Sequence, residues 1–221
     1  TVHHPIWDYD LPAPPVLLDI TVDGVDIPAV AQITKHGLTF VFDRRTGEPV
    51  WPIIETPVVA STVPDEITAP TQPIPSLPEP FMPNGVTEDR LNNLTPEIFA
   101  EAKRIASKYT LGPIYTPATV YTEANRGTLI SPSGGGGANW QGAVADPDSR
   151  IMYVSTAVTL GILGMVSDKD RSNMNFVQRR ENLDGPFGLP LLNPPWGSIT
   201  ALDMNTGKVL WNIPNGGTPD W

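Results

Sequence analysis

The densest concentration of reactive groups lies in the opening segment VHHPIWDYDLPAPP. Asp8 and Asp10 stand two residues apart in it, and side chains at i and i+2 of an extended segment face the same side. Carboxylates so placed suit a cation, or hold each other's proton affinities apart. The same pair also reads as a surface turn in which Asp side chains cap backbone amides. His3 and His4 precede it, but neighbours on a strand point to opposite faces, so the two imidazoles do not converge on one metal. Lys35, in Thr34-Lys35-His36-Gly37, is a lone cation ending an apolar strand, and taken alone it is solvated. The run GGGGANWQG lacks the GxGxxG order, the following helix and the Lys-Ser/Thr pair of a phosphate cradle, and reads as a flexible entry into a strand. No G-x-S-x-G, H-E-x-x-H or EF-hand pattern occurs.

The elements that must position these groups read as short strands. VLLDITV, IPAVAQIT, LTFVFD and EPVW are separated by Asp23-Gly24, His36-Gly37 and Arg45-Thr46-Gly47, the punctuation of an antiparallel meander. From Thr56 to Pro83 proline is so dense that a central strand is excluded and an extended loop is expected. Thr95-Pro96-Glu97 supplies an N-cap, a first-turn proline and an acid at the positive end of a helix dipole. Ile98, Phe99, Ala102, Ile105, Ala106 and Tyr109 then give an apolar stripe that Gly112-Pro113 stops. Strand-like text resumes at IYTPATVYT, GTLISPS, NWQGAVADP and RIMYVSTAV, and an irregular polar loop follows from Ser167 to Pro195. The chain closes on SITALDMNTGKVLWNIP.

One pattern occurs twice. Asp43-Arg44-Arg45-Thr46-Gly47-Glu48-Pro49-Val50-Trp51 and Asp203-Met204-Asn205-Thr206-Gly207-Lys208-Val209-Leu210-Trp211 both read D-x-x-T-G-x-x-x-W after an alternating apolar strand. Asp and Thr-Gly close a tight hairpin with glycine supplying a positive φ, and the Trp is expected to pack between neighbouring sheets. Two copies favour a repeated four-stranded unit, the way a β-propeller is written, over a sandwich or an unrelated β repeat.

Composition excludes several function classes. The chain has 221 residues and no cysteine, so disulfides, thiolate metal knuckles, iron–sulfur clusters and thiol nucleophiles are out. A formal net charge of −10 without a basic cluster opposes nucleic acid and anionic lipid surfaces. The most apolar stretch, Val154 to Val166, is short for a spanning helix, and the N-terminal text lacks the layout of a signal peptide.

Taken together, VHHPIWDYDLPAPPVLLDITVDG, AVAQITKHGLTFVFDRRTGEPVWPI, TAPTQPIPSLPEPF, GGGGANWQGAVADP and PPWGSITALDMNTGKVLW resemble, in order and over nearly the whole chain, the pyrroloquinoline-quinone (PQQ) dependent dehydrogenases, in particular their membrane-bound glucose dehydrogenase-like branch. The resemblance implies an all-β fold, part of an eight-bladed β-propeller, with long Pro-rich loops and one inserted helix. At roughly 40 to 50 residues per blade the chain would supply about half the ring. Residues 1–221 are expected to form a partial propeller domain carrying a loop and helix insertion at 55–112 and a loop at 167–195.

The resemblance also implies roles. Asp8 of the Trp7-Asp8 pair falls on the catalytic base, which is also a ligand of Ca²⁺. Lys35 falls on the cation that contacts the quinone carbonyls, and Asn139 and Trp140 fall beside the cofactor plane. Pro5 departs from the Asp that relatives carry after the paired His. The family's Glu and Asn calcium ligands and its Trp floor have no counterpart in this chain. The implied activity is oxidation of the CH–OH group of a sugar or alcohol, with electrons passed to ubiquinone or another acceptor. It is expected on the periplasmic side, anchored to the inner membrane through a segment absent from this chain. The remaining blades would be this chain's partners, and the isolated 221 residues are expected to be inactive. The alternative is a non-catalytic propeller scaffold for protein–protein interaction.

Overall fold

The computed structural model describes residues 1–216 as short, mostly antiparallel strands joined by long irregular segments. Strands β1 (Val16–Val22), β2 (Val25–Ile33) and β3 (Thr39–Asp43) form a meander in that order. The alternation that predicts them appears as burial: Leu18 and Ile20 of β1, and Ala29, Ala31 and Ile33 of β2, face the core. Asp23 and Gly24 join β1 to β2 with φ of 51° and 79°, the left-handed pair of a two-residue hairpin. The expected fourth strand at EPVW is reduced to a bridge between Phe42 and Pro49 and a bond from the Val50 N–H to the Val41 carbonyl at 2.9 Å. Pro49 has no N–H with which to extend the ladder.

The proline-dense stretch is more ordered than a loop. Strands β4 (Ile53–Pro57) and β5 (Thr71–Pro75) pair as a two-stranded ribbon, in which both strands are edges and proline is tolerated. Helix α1 (Pro96–Ala106) begins as its sequence predicts, the Thr95 hydroxyl accepting from the Ile98 N–H at 3.2 Å. It ends at Ala106, before the Gly112-Pro113 stop, because Ser107 already caps the last turn. Ala102, Ala106 and Tyr109 bury its apolar stripe against Leu129, Leu191 and Leu192.

IYTPATVYT and GTLISPS contribute only β6 (Thr119–Val120) and β7 (Thr128–Ile130). They are followed by β8 (Ala143–Asp146), β9 (Ile151–Ala157), β10 (Gly161–Val166), β11 (Val177–Arg179), β12 (Gly197–Asp203) and β13 (Lys208–Pro214). The stretch Val154 to Val166 is therefore divided between two strands. No described helix is long and apolar enough to cross a membrane. Strand β10 joins β6, β7 and β11 in a small sheet, whereas β9 pairs with β12 across residues 158–196, giving the four-stranded order β13-β12-β9-β8. This sheet and the β1-β2-β3 meander share one core, in which Leu18, Ile20 and Ala31 meet Met152, Val154 and Leu202, with Phe81 and Met82 wedged in. No sheet closes on itself among the described residues.

The two repeat turns coincide in detail. Gly47 and Gly207 donate their N–H to the carbonyls of Asp43 and Asp203 at 2.8 and 2.7 Å, and the Asp side chains accept from the N–H of Arg45 and Asn205 at 2.8 and 2.9 Å. The tryptophans do not coincide. Trp51 is buried in the shared core, but Trp211 is 40% exposed on the edge strand β13, against Tyr153. This corrects the expectation that both pack between sheets. A bulge at Ala201/Leu202 pairs Leu202 with Val209 and Ala201 with Trp211, which sends Trp211 to the face away from the core.

Candidate functional site

The sheets have two distinct ends. At one, the hairpin turns of both sheets meet: the Thr21 N–H donates to Asn205 Oδ1 at 2.8 Å and Arg150 Nε to the Asp19 carbonyl at 3.1 Å. At the other end lie the segment entering β1, the β2–β3 turn and the glycine run that leads to β8. Thr34 closes the β2–β3 turn through bonds in both directions, its N–H to the Leu38 carbonyl and its hydroxyl oxygen accepting from the Leu38 N–H, both at 3.0 Å.

That turn carries Lys35. Its side chain is only 8% exposed, and its ammonium donates to the Asp8 carbonyl at 3.0 Å, reaches Asp8 Oδ2 at 3.4 Å and bonds Asp10 Oδ1. The solvated lysine expected from its local text is thus buried, because three oxygens from one short segment replace its hydration. Asp8 is not extended: its φ of 63° turns the backbone so that its carbonyl and both carboxylates converge on one ammonium. The alternation Trp7-Asp8-Tyr9-Asp10 explains the turn. Trp7 Nε1 donates to the Thr116 carbonyl at 2.8 Å and Tyr9 Oη to the Pro132 carbonyl at 2.6 Å, anchoring the aromatics inward and leaving the carboxylates outward. The Asp8 and Asp10 side chains are 76% and 58% exposed.

The glycine run is a fitted cover, not a flexible entry. A Cβ on Gly136 would lie 2.7 Å from Lys35 Cγ, and one on Gly134 would lie 3.2 Å from Asp8 Cβ and 3.3 Å from Asp8 Oδ2. The Gly137 N–H donates to the Lys35 carbonyl, and its own carbonyl accepts from the Ala157 N–H, each at 2.8 Å. Asn139 Nδ2 bonds the Gly135 carbonyl at 2.6 Å, while its Oδ1 is buried with no protein partner. Trp140 is 81% exposed. His3 lies elsewhere, its Nε2 2.9 Å from Glu55 Oε1 at an exposed position, and His4 is exposed.

Electrostatics follow the geometry. The bond from Lys35 holds the Asp10 carboxyl below its usual range. Burial pushes His36 down to about 3, so its imidazole is neutral, and burial raises Tyr9 and Tyr115 above the ordinary phenol value. The sequence pattern pairs Asp10 with Asp8 but does not show that Asp10 holds Lys35, and it reads Gly134 and Gly136 only as part of a flexible entry. The aromatic-in, carboxylate-out alternation was the available signal for Asp10.

Residues 1–221 match the family model for the PQQ type described as glucose/ethanol/alcohol dehydrogenase, beta-propeller domain. The chain belongs to this PQQ dehydrogenase propeller family. It is 30% identical over 246 residues to the quinoprotein glucose dehydrogenase of Gluconobacter oxydans, a match covering 98% of this chain and 30% of that protein. It is 32% identical over 241 residues to the quinoprotein glucose dehydrogenase of Escherichia coli, covering 96% and 28%. It is also 30% identical over 249 residues to the quinate/shikimate dehydrogenase (quinone) of Acinetobacter baylyi, covering 100% and 29%. The chain thus spans about 30% of the length of the curated relatives it matches. Its open sheets are those of a partial propeller.

The residues of this PQQ-family domain fit a flat, electron-poor quinone. Lys35 supplies a fixed positive charge, its three N–H already directed at the Asp8 and Asp10 oxygens, and the run at Gly134 to Gly137 leaves no side chain between backbone and pair. Asn139 Oδ1 lacks a partner and Trp140 presents a bare indole. A hard cation takes six to eight oxygens. Asp8 can contribute one carboxylate, but no group of three or more His, Cys, Asp or Glu is gathered among the described residues.

Proposed function

We propose that the protein containing this chain is a PQQ-dependent oxidoreductase acting on the CH–OH group of a sugar or alcohol, with Asp8 as general base and calcium ligand and with Lys35, Asn139 and Trp140 at the quinone. The observation that supports this most is the meeting of Lys35 with the Asp8 carboxylate at 3.4 Å, from positions 27 residues apart. When bound, the quinone supplies a two-electron acceptor and the cation supplies Lewis-acid polarisation.

The chain's own contribution is placement. Asp8 holds an exposed carboxylate, able to take the hydroxyl proton of an alcohol, on an aromatic base formed by Trp7 and Tyr9. Lys35 keeps a fixed positive charge in a nearly dry setting, where it stabilises negative charge on a facing oxygen far more than it would in water. The glycine cover excludes solvent from one side of the pair. The desolvation of a buried ammonium has to be offset by several acceptors, and the Asp8 and Asp10 oxygens supply them. The same reading places the protein on the periplasmic side of the inner membrane, with a further segment as anchor, the remaining blades as intramolecular partners and ubiquinone as acceptor. It treats 55–112 and 167–195 as insertions in a partial propeller domain.

The test uses the full-length protein. Asp8→Asn is expected to lower turnover by about a thousandfold while PQQ remains bound, and Lys35→Ala is expected to weaken PQQ binding measured by titration of the apoprotein. Wild-type turnover in Asp8→Asn rules out the base role, and wild-type PQQ affinity in Lys35→Ala rules out the quinone contact.

A further inference from the structure

On the inner side of the Lys35 turn, the imidazole of His36 is fully buried, and neither Nδ1 nor Nε2 has a hydrogen-bond partner in the protein. The ring centroid lies 5.0 Å from that of Tyr9 and 5.7 Å from that of Tyr115. The Tyr115 hydroxyl is likewise buried without a partner. Tyr9, the third member of the cluster, is satisfied by the Pro132 carbonyl and so offers its donor to neither.

A neutral imidazole has one N–H and one lone pair, and a phenol has a donor and an acceptor. Stripping all of these of water without replacement costs the desolvation of each group. Native interiors pair the large majority of such groups, and they use an enclosed water where no protein atom reaches. His36 also occupies a defined place between the two halves of the site. Its backbone follows Lys35 in the turn and its carbonyl accepts from Asn84 Nδ2 at 3.3 Å. Its ring packs on Tyr9, the residue between Asp8 and Asp10.

We infer that an enclosed water bridges the His36 imidazole and the Tyr115 hydroxyl, and that His36, held in this way, is a positioning residue that sets the spacing of Lys35 from Asp8 and Asp10. The ring packs on Tyr9, which stands between Asp8 and Asp10, and its backbone continues from Lys35, so a shift of the ring moves one segment against the other. A water that fixes the ring's hydrogen bonds holds the ring in place. The positioning role rests on the reading that Lys35 contacts the quinone; the water does not.

The first test is a structure of the full-length protein at a resolution that shows ordered solvent. Density is expected within hydrogen-bond reach of one His36 ring nitrogen and the Tyr115 hydroxyl, and a dry cluster overturns the inference. The second compares His36→Gln, which keeps a donor and an acceptor, with His36→Leu, which keeps neither. PQQ affinity of the apoprotein, measured by titration, is expected to fall about tenfold in His36→Leu and to recover in His36→Gln. A merely structural His36 would shift the unfolding midpoint of His36→Leu and leave PQQ affinity at the wild-type value, which overturns the positioning role. Lys35→Ala separates the two readings. If it leaves PQQ affinity unchanged, the quinone contact and the positioning role fall together, and the solvent density still decides the water.

Discussion

The two ends of the paired sheets are built on opposite plans. At the hairpin end, the bonds that close each D-x-x-T-G turn are local: the Asp accepts from backbone two and four residues ahead, and the glycine supplies the positive φ. At the other end almost nothing is local. Lys35 is satisfied by Asp8 and Asp10, the glycine run is shaped by Lys35 and Asp8, and Trp7 is anchored by Thr116. Locally closed turns can be altered one at a time and affect stability. A site assembled from distant segments can lose its chemistry while the fold persists.

Several substitutions sharpen this contrast. The largest effect belongs to Asp8→Asn, whose thousandfold loss of turnover should leave the urea midpoint nearly unchanged, because the carboxylate is mostly exposed. A parallel collapse of stability would erase the distinction between the ends. Next comes Trp51→Ala in the shared core, expected to cost about 3–5 kcal/mol in urea unfolding. Trp211→Ala, on the outward face of an edge strand, should cost about 1 kcal/mol or less. Equal losses would mean that the bulge does not separate the two repeats.

Within the glycine run, Gly136→Ala should cost about 1–3 kcal/mol, because a Cβ would strike Lys35 at a φ of +77°. Gly135→Ala has room and should stay within about 0.5 kcal/mol by the same assay. The last effect is spread along the pH axis as a slope. His36 is neutral in the fold until about 3, whereas in the unfolded chain it takes its proton near the ordinary 6.5. The unfolded state therefore binds more protons across that window, and stability falls as pH is lowered through it, by at most about 1.4 kcal/mol per pH unit from this group. Denaturant midpoints of His36→Gln should show a shallower acid decline than wild type, and parallel profiles would refute the buried neutral imidazole.

What could be read from the sequence follows the same division. The whole of VLLDITV, the Thr95 cap and both D-x-x-T-G turns were legible because their partners lie within a few residues. Asp8 and Lys35 could be singled out by type and by resemblance, but the burial of Lys35 could not, since its acceptors are 25 to 27 residues away. The exposure of Trp211 was hidden for another reason. A single bulge reverses which face a residue takes, and D-x-x-T-G-x-x-x-W reads the same with or without it. The glycine run was misread because its lack of side chains reflects a close neighbour, not freedom.

Gly137 has a further consequence. Its N–H is committed to Lys35 in the first meander and its carbonyl to Ala157 at the end of β9, so one residue rivets the two sheets together beside the Lys35 turn. Any slippage between the sheets is then felt first at the charge cluster, and on warming the site should fall silent before the molecule melts.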